Sequence, residues 1–446
     1  MNIVIAGDGE VGLYLAEALV NSNHNITIVD PHEDLLKMIE SHTDLMTITG
    51  DSTSISVLQR ANVRKADLVI SVVHDEHINL MTSILAKKLG AQKVIARVNT
   101  MENLSAENWK IYQELGIDGL VSPEDIAAQE IISLLKQTAA TEVFDFSDGK
   151  LQLFMIKLEN GAPVLHKTLN EIAEEYKHLD FRAIAVHRNR ETFIPHGEDV
   201  FEENDLSYVI TKPEAIDNLI RMGGKIHHNI HNVMIVGGGR VGRMTAKRLE
   251  KDMNIKLIEK DKDRCIFLTD YLEDTLVVNG DARNLQLLED EDVRSIDAFI
   301  AVTDNTETNI LTCLQARAYG IKKTIALVEN IDYIDISQNI GVDTIINKKL
   351  IAASYMVRYT MGAEVTSLKC LSGIDADAME LIARPGSAVT RKPICKLNIP
   401  DGAIIGGIVR GDESFIAMGD FQIEENDKVV VFALPHAIHK IEKLFH

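Results

Sequence analysis

Two glycine-rich segments carry the residues best suited to chemistry in this chain, Gly7-Asp8-Gly9-Glu10-Val11-Gly12 and Gly237-Gly238-Gly239-Arg240-Val241-Gly242. Each has G-x-G-x-x-G spacing, follows an apolar run and opens an amphipathic stretch, the context in which this pattern cradles the pyrophosphate of a dinucleotide. The first glycine permits a tight turn, the second lets the backbone approach the phosphates, and the third lets helix and strand pack closely. Free amides at the start of the helix then bind the anion. Asp30 and Glu259 end the second apolar run of each half, where a carboxylate accepts ribose hydroxyls. At Asp30 the same charge would repel the extra phosphate of NADP.

Asp51 and Asp281 follow Gly50 and Gly280, beside the expected place of an adenosine. Two roles stay open for them, contact with ribose or adenine and capping of the next helix. Thr53, two residues after Asp51, joins the candidate contacts. The loops differ in charge: Asp8 and Glu10 flank the first phosphate position, whereas Arg240, with Arg243 a turn later, flanks the second. Like charge near phosphate costs binding energy, most against a triphosphate. The first site is therefore expected to take NAD or NADH, and the second to tolerate ATP or ADP better. Arg97 on the fifth strand partly offsets the acidity of the first site, and its counterpart is Leu327.

These loops need a scaffold, and the chain supplies it twice. Shifted by 230 residues the sequence matches itself: Gly7, Gly9 and Gly12 fall on Gly237, Gly239 and Gly242, Gly50-Asp51 on Gly280-Asp281, and Asn79 on Asn309. In each half, short wholly apolar runs alternate with helical patterns such as Val11, Leu15 and Leu19, which predicts a parallel sheet covered on both faces. The alternation stops near residue 122 and again between 348 and 365. Shorter β-rich stretches follow each break and match at a shift of 222, Glu203-Asn204-Asp205 falling on Glu425-Asn426-Asp427. The expected class is α/β, with two Rossmann-like doubly wound domains, each followed by a small α+β domain. The boundaries read as 1–122, 139–223, 230–348 and 365–446.

Composition excludes several functions. The 446 residues hold 46 Lys plus Arg against 67 Asp plus Glu, a net charge of −21, which disfavours generic attraction to nucleic acid or anionic lipid. No run approaches the roughly 18 apolar residues of a membrane span, and the first residues do not form a signal peptide. The four cysteines, Cys265, Cys313, Cys370 and Cys395, form no C-x-x-C pair and read as buried reduced thiols. His227-His228-Asn229-Ile230-His231 reads as a solvated linker rather than a metal site. A dehydrogenase would need a positioned proton-transferring residue. The histidines His74, His77, His187 and His196 are dispersed, and their counterparts Asp304, Glu307, Val409 and Met418 are not histidines. Duplicated binding loops without duplicated acid–base residues point to binding rather than turnover.

The glycine loops, Gly50-Asp51 after the third strand, and Ile194-Pro195-His196-Gly197 with Asp205, Gly419 and Asp427 together resemble the RCK (KTN) family over essentially the whole chain. Two such pairs in one chain resemble the TrkA-type peripheral subunits of Trk potassium uptake systems. The resemblance implies NAD(H) and adenine-nucleotide binding, a homo-oligomeric ring, expected to be a tetramer, and a cytoplasmic location on the inner face of the membrane. It also implies an integral-membrane, potassium-conducting partner of TrkH/TrkG type. The alternatives are an NAD-dependent oxidoreductase and a regulator of another cation transporter or antiporter.

Overall fold

The computed structural model describes residues 1–7, 10–20, 24–42, 45–136, 142–176, 180–188, 191–224, 230–321, 323–360, 365–371 and 376–446. Two compact units emerge, one of residues 1–126 with 348–362 and one of residues 127–347 with 363–446.

The first unit is built on strands β1 (Asn2–Ala6), β2 (Asn25–Asp30), β3 (Met46–Thr49), β4 (Leu68–Ser71), β5 (Lys93–Arg97) and β6 (Gly119–Val121). They form one parallel sheet in the order β3-β2-β1-β4-β5-β6. Side chains alternate between its faces, so a wholly apolar strand feeds two cores. Ile3, Ile5, Ile28 and Ile70 pack with Leu15, Leu19 and Leu36. Val4, Val29, Val69 and Val94 pack on the other side with Leu58, Leu80 and Ala86. The breaks read from the sequence at 122 and 348 are helices. Pro123–Lys136 follows β6, and Lys348–Val357 places Ala352, Ala353 and Met356 in the core of the first unit beside Leu15 and Leu19.

The second unit holds three sheets. Strands β7 (Glu142–Phe146), β8 (Leu151–Lys157), β9 (Phe181–Arg188), β10 (Glu191–Phe193) and β11 (Leu206–Thr211) make an antiparallel sheet ordered β10-β9-β11-β8-β7. A second parallel sheet comprises β12 (Asn232–Val236), β13 (Asn254–Glu259), β14 (Leu276–Asn279), β15 (Ala298–Ala301), β16 (Lys323–Leu327) and β17 (Thr344–Ile346), ordered β14-β13-β12-β15-β16-β17. The last sheet, of β18 (Val365–Cys370), β19 (Asp377–Ile382), β20 (Ala403–Arg410), β21 (Glu413–Ile416) and β22 (Lys428–Ala433), is ordered β18-β19-β22-β20-β21. The expected class, two Rossmann-like parallel-sheet domains each followed by a small α+β domain, is what forms, and the sheet of each small domain is antiparallel.

The matched residues of the small domains have a structural reason to match. Asn204 and Asn426 turn the chain at φ 70 each, a left-handed conformation that asparagine tolerates. The buried carboxylates of Asp205 and Asp427 that follow are gripped by Arg188 at 2.7 Å and by Arg410 at 2.8–2.9 Å. The two small sheets share one core, in which Leu151, Leu153 and Met155 meet Ala378, Val430 and Phe432. That association supplies apolar burial that domains of this size lack alone.

Cys265 and Cys313 are buried, and burial raises the thiol pKa of both. Cys395 is exposed, which corrects the expectation that all four are buried: it lies in the short 3-10 turn Ile394–Lys396 at the surface, its N–H donating to Gly419 O. The side chain of Cys370 lies outside the described residues. So do residues 227–229 of the histidine cluster. Among the described residues no His, Cys, Asp or Glu group could hold a metal, and no helix is long and apolar enough to cross a membrane.

Candidate nucleotide sites

In an open parallel sheet, ligands bind beyond the carboxyl ends of the strands where the strand order reverses. In both parallel sheets that place lies outside the first central strand, flanked by β2 and β4 in one and by β13 and β15 in the other. The glycine loops follow β1 and β12.

In the second unit Gly237 has φ +103, and a Cβ there would stand 2.9 Å from the backbone of Val302 and Thr303. A Cβ on Gly242 would lie 1.9 Å from Gly237 O. The first unit repeats this at Gly7, with φ +115, and at Gly12, whose Cβ would be 2.0 Å from Gly7 O. The first and third glycines are thus required by the fold itself. Gly239 differs, because a Cβ there meets nothing within 4 Å. Its missing side chain keeps space clear next to Arg240, the first residue of the helix Arg240–Leu249. Gly238 stands against Leu268 and the Glu259 carboxylate. Val241 is buried under the same helix, whereas Val11 is only partly buried. Asp8 and Gly9 lie outside the described residues, as does the side chain of Glu10.

Both acidic residues sit where the sequence places them, and both are almost fully buried, Asp30 at 3% and Glu259 at 4% exposure. Backbone bonds from Gly50 N–H to Asp30 O and from Gly280 N–H to Glu259 O, both 2.9 Å, tie the ends of neighbouring strands together. The Asp30 carboxylate accepts the His32 N–H at 2.9 Å, and its Oδ1 stands 2.7 Å from His32 Nδ1. Glu259 accepts the Gly238 N–H and the Asp261 N–H, each at 2.8 Å, with Arg264 at 3.4 Å. One buried carboxylate therefore joins the glycine loop to the end of β13.

Neither Asp51 nor Asp281 caps the next helix, since Ser54 and Asn284 hold those positions. Asp51 folds back on its own turn and accepts Thr53 N–H and Oγ1–H at 2.8 Å, bonds that lower its pKa. Asp281 is forked by Arg283 at 2.6–3.1 Å, and that guanidinium holds its carboxyl down to about 2. Arg97 donates to Glu124 at 3.1 Å, with both side chains largely buried. Its charge is therefore already paired, which limits what it can offset elsewhere.

Two sets of residues escaped the sequence reading. Asn79 and Asn309 pin the loops that face the glycine turns. Asn309 accepts Thr303 N–H at 2.9 Å and Oγ1–H at 2.6 Å, and donates to Thr303 O at 2.9 Å and Leu327 O at 2.8 Å. Asn79 likewise accepts from Ser71 and Val73 and donates to Val73 O and Arg97 O. Their coincidence in the internal match was the available signal. The other set is cationic. A cleft of about 300 Å³ beside the second glycine loop is lined by Glu259, Lys260, Arg264, Asp281, Arg283 and Asp304 among others. Arg240 and Arg243 are not in that lining, and Arg243 lies over the rings of Phe267 and Tyr271 at 5.4 and 5.9 Å.

Comparison with known proteins agrees with this duplication. The TrkA-N domain family matches residues 3–123 and 233–348, and the TrkA-C domain family matches residues 153–222 and 378–446. The chain is 33% identical over 446 residues to a Trk system potassium uptake protein TrkA homolog of Archaeoglobus fulgidus, covering 100% of both. It is 31% identical over 452 residues to the Trk system potassium uptake protein TrkA of Vibrio alginolyticus, covering 100% of this chain and 98% of that one. Among solved structures it resembles the GsuK channel bound to NAD, with TM-score 0.62 and 19% identity, covering 100% of this chain and 78% of that one. The GsuK RCK domain gives TM-score 0.62 at 18% identity, covering 100% and 94%. At these identities the structural likeness speaks to fold.

Proposed function

The chain belongs to the TrkA family of Trk system potassium uptake proteins, and from that premise we propose that it is a nucleotide-binding regulatory subunit of a membrane potassium transporter. The observation that carries the reading is the duplicated placement of tight glycine turns, at Gly7 and Gly12 and at Gly237 and Gly242, beside a buried carboxylate at a strand end. The first site takes NAD or NADH through Gly7, Gly9, Gly12 and Asp30, with Asp8, Glu10, Val11, Asp51, Thr53 and Arg97 around it. The second takes an adenine nucleotide, ADP or ATP included, through Gly237, Gly238, Gly239, Gly242 and Glu259, with Arg240, Val241 and Asp281 around it. The protein works without turnover. A ligand moves its partner through different affinity for two conformations, and a coupling of about 1–3 kcal/mol suffices.

Assembly into a ring, most simply a tetramer, is supported by a repeated exposed apolar set. Ile55, Met81, Ile111 and Leu115 are 39–51% exposed in the first unit, and their counterparts Leu285, Leu311, Ile336 and Ile340 are 49–57% exposed in the second. Two separate Rossmann domains keeping apolar side chains in water at equivalent places is the mark of a contact surface. A cytoplasmic ring docked on an integral-membrane subunit of TrkH/TrkG type accounts for the potassium link in the names of the relatives.

Potassium flux into proteoliposomes bearing such a membrane subunit tests the proposal. Adding this protein should make flux depend on NADH and on ATP or ADP by roughly fivefold or more, the effect of about 1 kcal/mol of coupling. Flux indifferent to protein and nucleotide would refute it, and steady NADH oxidation with a carbonyl substrate would favour an oxidoreductase.

A further inference from the structure

The two sites are built on superposable turns, so their differences can be read position by position. Asp261 N–H bonds to Glu259 as His32 N–H bonds to Asp30, and Arg283 N–H bonds to Asp281 as Thr53 N–H bonds to Asp51. Lys260 therefore stands where the first unit has Pro31, Arg264 where it has Leu35, and Arg283 where it has Thr53. The ends of β13 and β14 carry three cations beside Glu259 and Asp281, and the third carboxylate of the cleft, Asp304, lies beyond β15. The equivalent ends of β2 and β3 carry the two carboxylates Asp30 and Asp51 and none of these three cations; the guanidinium there is Arg60, which donates to Thr49 O at 2.8 Å. All three cations line the cleft.

Their place matters as much as their number. A carboxylate at the end of the second strand marks the adenosine ribose, and the phosphate-holding loop is Gly237–Gly242. Lys260 follows that carboxylate directly, Arg264 contacts it at 3.4 Å, and Arg283 sits on the adjacent strand end. The positive charge that lines the cleft is therefore at its ribose end, Arg240 of the phosphate loop lying outside the lining. The acid there is also subdued: Glu259 shares its charge with the Gly238 and Asp261 amides and with Arg264. The fork from Arg283 to Asp281 uses Nε and Nη2, which fixes the guanidinium plane while Nη1 lies outside the fork.

We infer that the second site recognises an adenine nucleotide bearing a phosphate on its ribose 2′-hydroxyl, the chemistry of NADP(H), with Lys260, Arg264 and Arg283 as the phosphate-binding residues. This rests on the reading of the cleft as an adenine-nucleotide site. Such a phosphate is a dianion needing several charge-assisted donors at once, and guanidinium groups supply them in fixed geometry. The first site, with Pro31, Leu35 and Thr53 at the same positions beside the carboxylates of Asp30 and Asp51, lacks these donors and binds the same ligand more weakly.

Calorimetry on the full chain with 5′-AMP, adenosine 2′,5′-bisphosphate and adenosine 3′,5′-bisphosphate isolates the added phosphate. The 2′,5′-bisphosphate should bind at least about tenfold more tightly than 5′-AMP, as two charge-assisted hydrogen bonds would give. That gain should vanish in Arg283→Thr and in Arg264→Leu, which restore the residues of the first unit. Retained 5′-AMP binding in both variants shows that the cleft is intact. A 2′-phosphate that adds nothing while 5′-AMP still binds overturns the inference, as does a gain for the 3′-phosphate instead. Failure of NAD, ADP and 5′-AMP alike to bind refutes the nucleotide reading beneath it.

Discussion

Replacing Gly242 by alanine should destabilise the second Rossmann domain by about 3 kcal/mol, the upper part of the range for overpacking a rigid site. The new Cβ would lie 1.9 Å from Gly237 O, and neither partner can yield cheaply. Gly237 is held by its own N–H bond to Ile258 O at 2.9 Å and by its left-handed φ of +103. The helix bearing Gly242 is fixed by buried Val241, Met244 and Ala246. Relief therefore requires moving the helix off β12, which also opens the phosphate loop. Gly239→Ala is the matched control. Its Cβ meets nothing within 4 Å and its φ of −63 suits alanine, so stability should change by less than about 1 kcal/mol. Nucleotide affinity should fall all the same, because the methyl group enters the space kept for a phosphate. Urea midpoints and nucleotide titrations of the two variants separate the architectural glycine from the ligand-facing one.

Asn309→Ala should cost a similar amount, about 3 kcal/mol, by a different mechanism. Asn309 is 1% exposed and makes four hydrogen bonds, to both backbone groups and the hydroxyl of Thr303 and to Leu327 O. Alanine leaves buried backbone groups unsatisfied, at about 1–3 kcal/mol each when no water enters. The loop so released contains Thr303, Asp304 and Asn305, which line the cleft, so nucleotide affinity should fall with stability. Asn309→Asp keeps the two acceptor bonds and turns both donor bonds into contacts between oxygens. It should be at least as destabilising as alanine near neutral pH, a result that a purely steric role for Asn309 would not give. Thermal unfolding of the three proteins at one pH distinguishes these cases.

Much of this architecture is legible in the sequence because the information is local. Wholly apolar strands such as Ile3–Ala6 and the spacing of Gly7, Gly9 and Gly12 report directly on backbone geometry. The internal match doubled the signal. Contacts set by tertiary placement left weaker traces. Nothing in Lys348–Val357 tells which sheet its apolar face will cover, and it covers the first, through Ala352, Ala353 and Met356. Attention to the glycine loop also put the decisive charge at Arg240 and Arg243, the latter of which lies over Phe267 and Tyr271. The cleft instead gathers Lys260, Arg264 and Arg283 from two strand ends. Those residues were visible as substitutions between the halves, but only the hydrogen-bonded turns fix which positions correspond. Asp51 gives the same lesson at smaller scale, since its choice between ligand contact and helix cap was settled against the cap by Thr53 and Ser54.

Two nucleotide sites in one chain, each organised by a buried strand-end carboxylate, should bind independently. Calorimetric titration of the wild type, Asp30→Ala and Glu259→Ala with NADH and with ADP, while NADH absorbance is followed for turnover, tests this most directly. The wild type should show two binding equivalents per chain and no NADH consumption. Asp30→Ala should weaken NADH binding roughly tenfold or more and leave ADP binding in place, and Glu259→Ala should do the reverse. A single equivalent in the wild type, or one substitution abolishing both ligands, would contradict two independent sites.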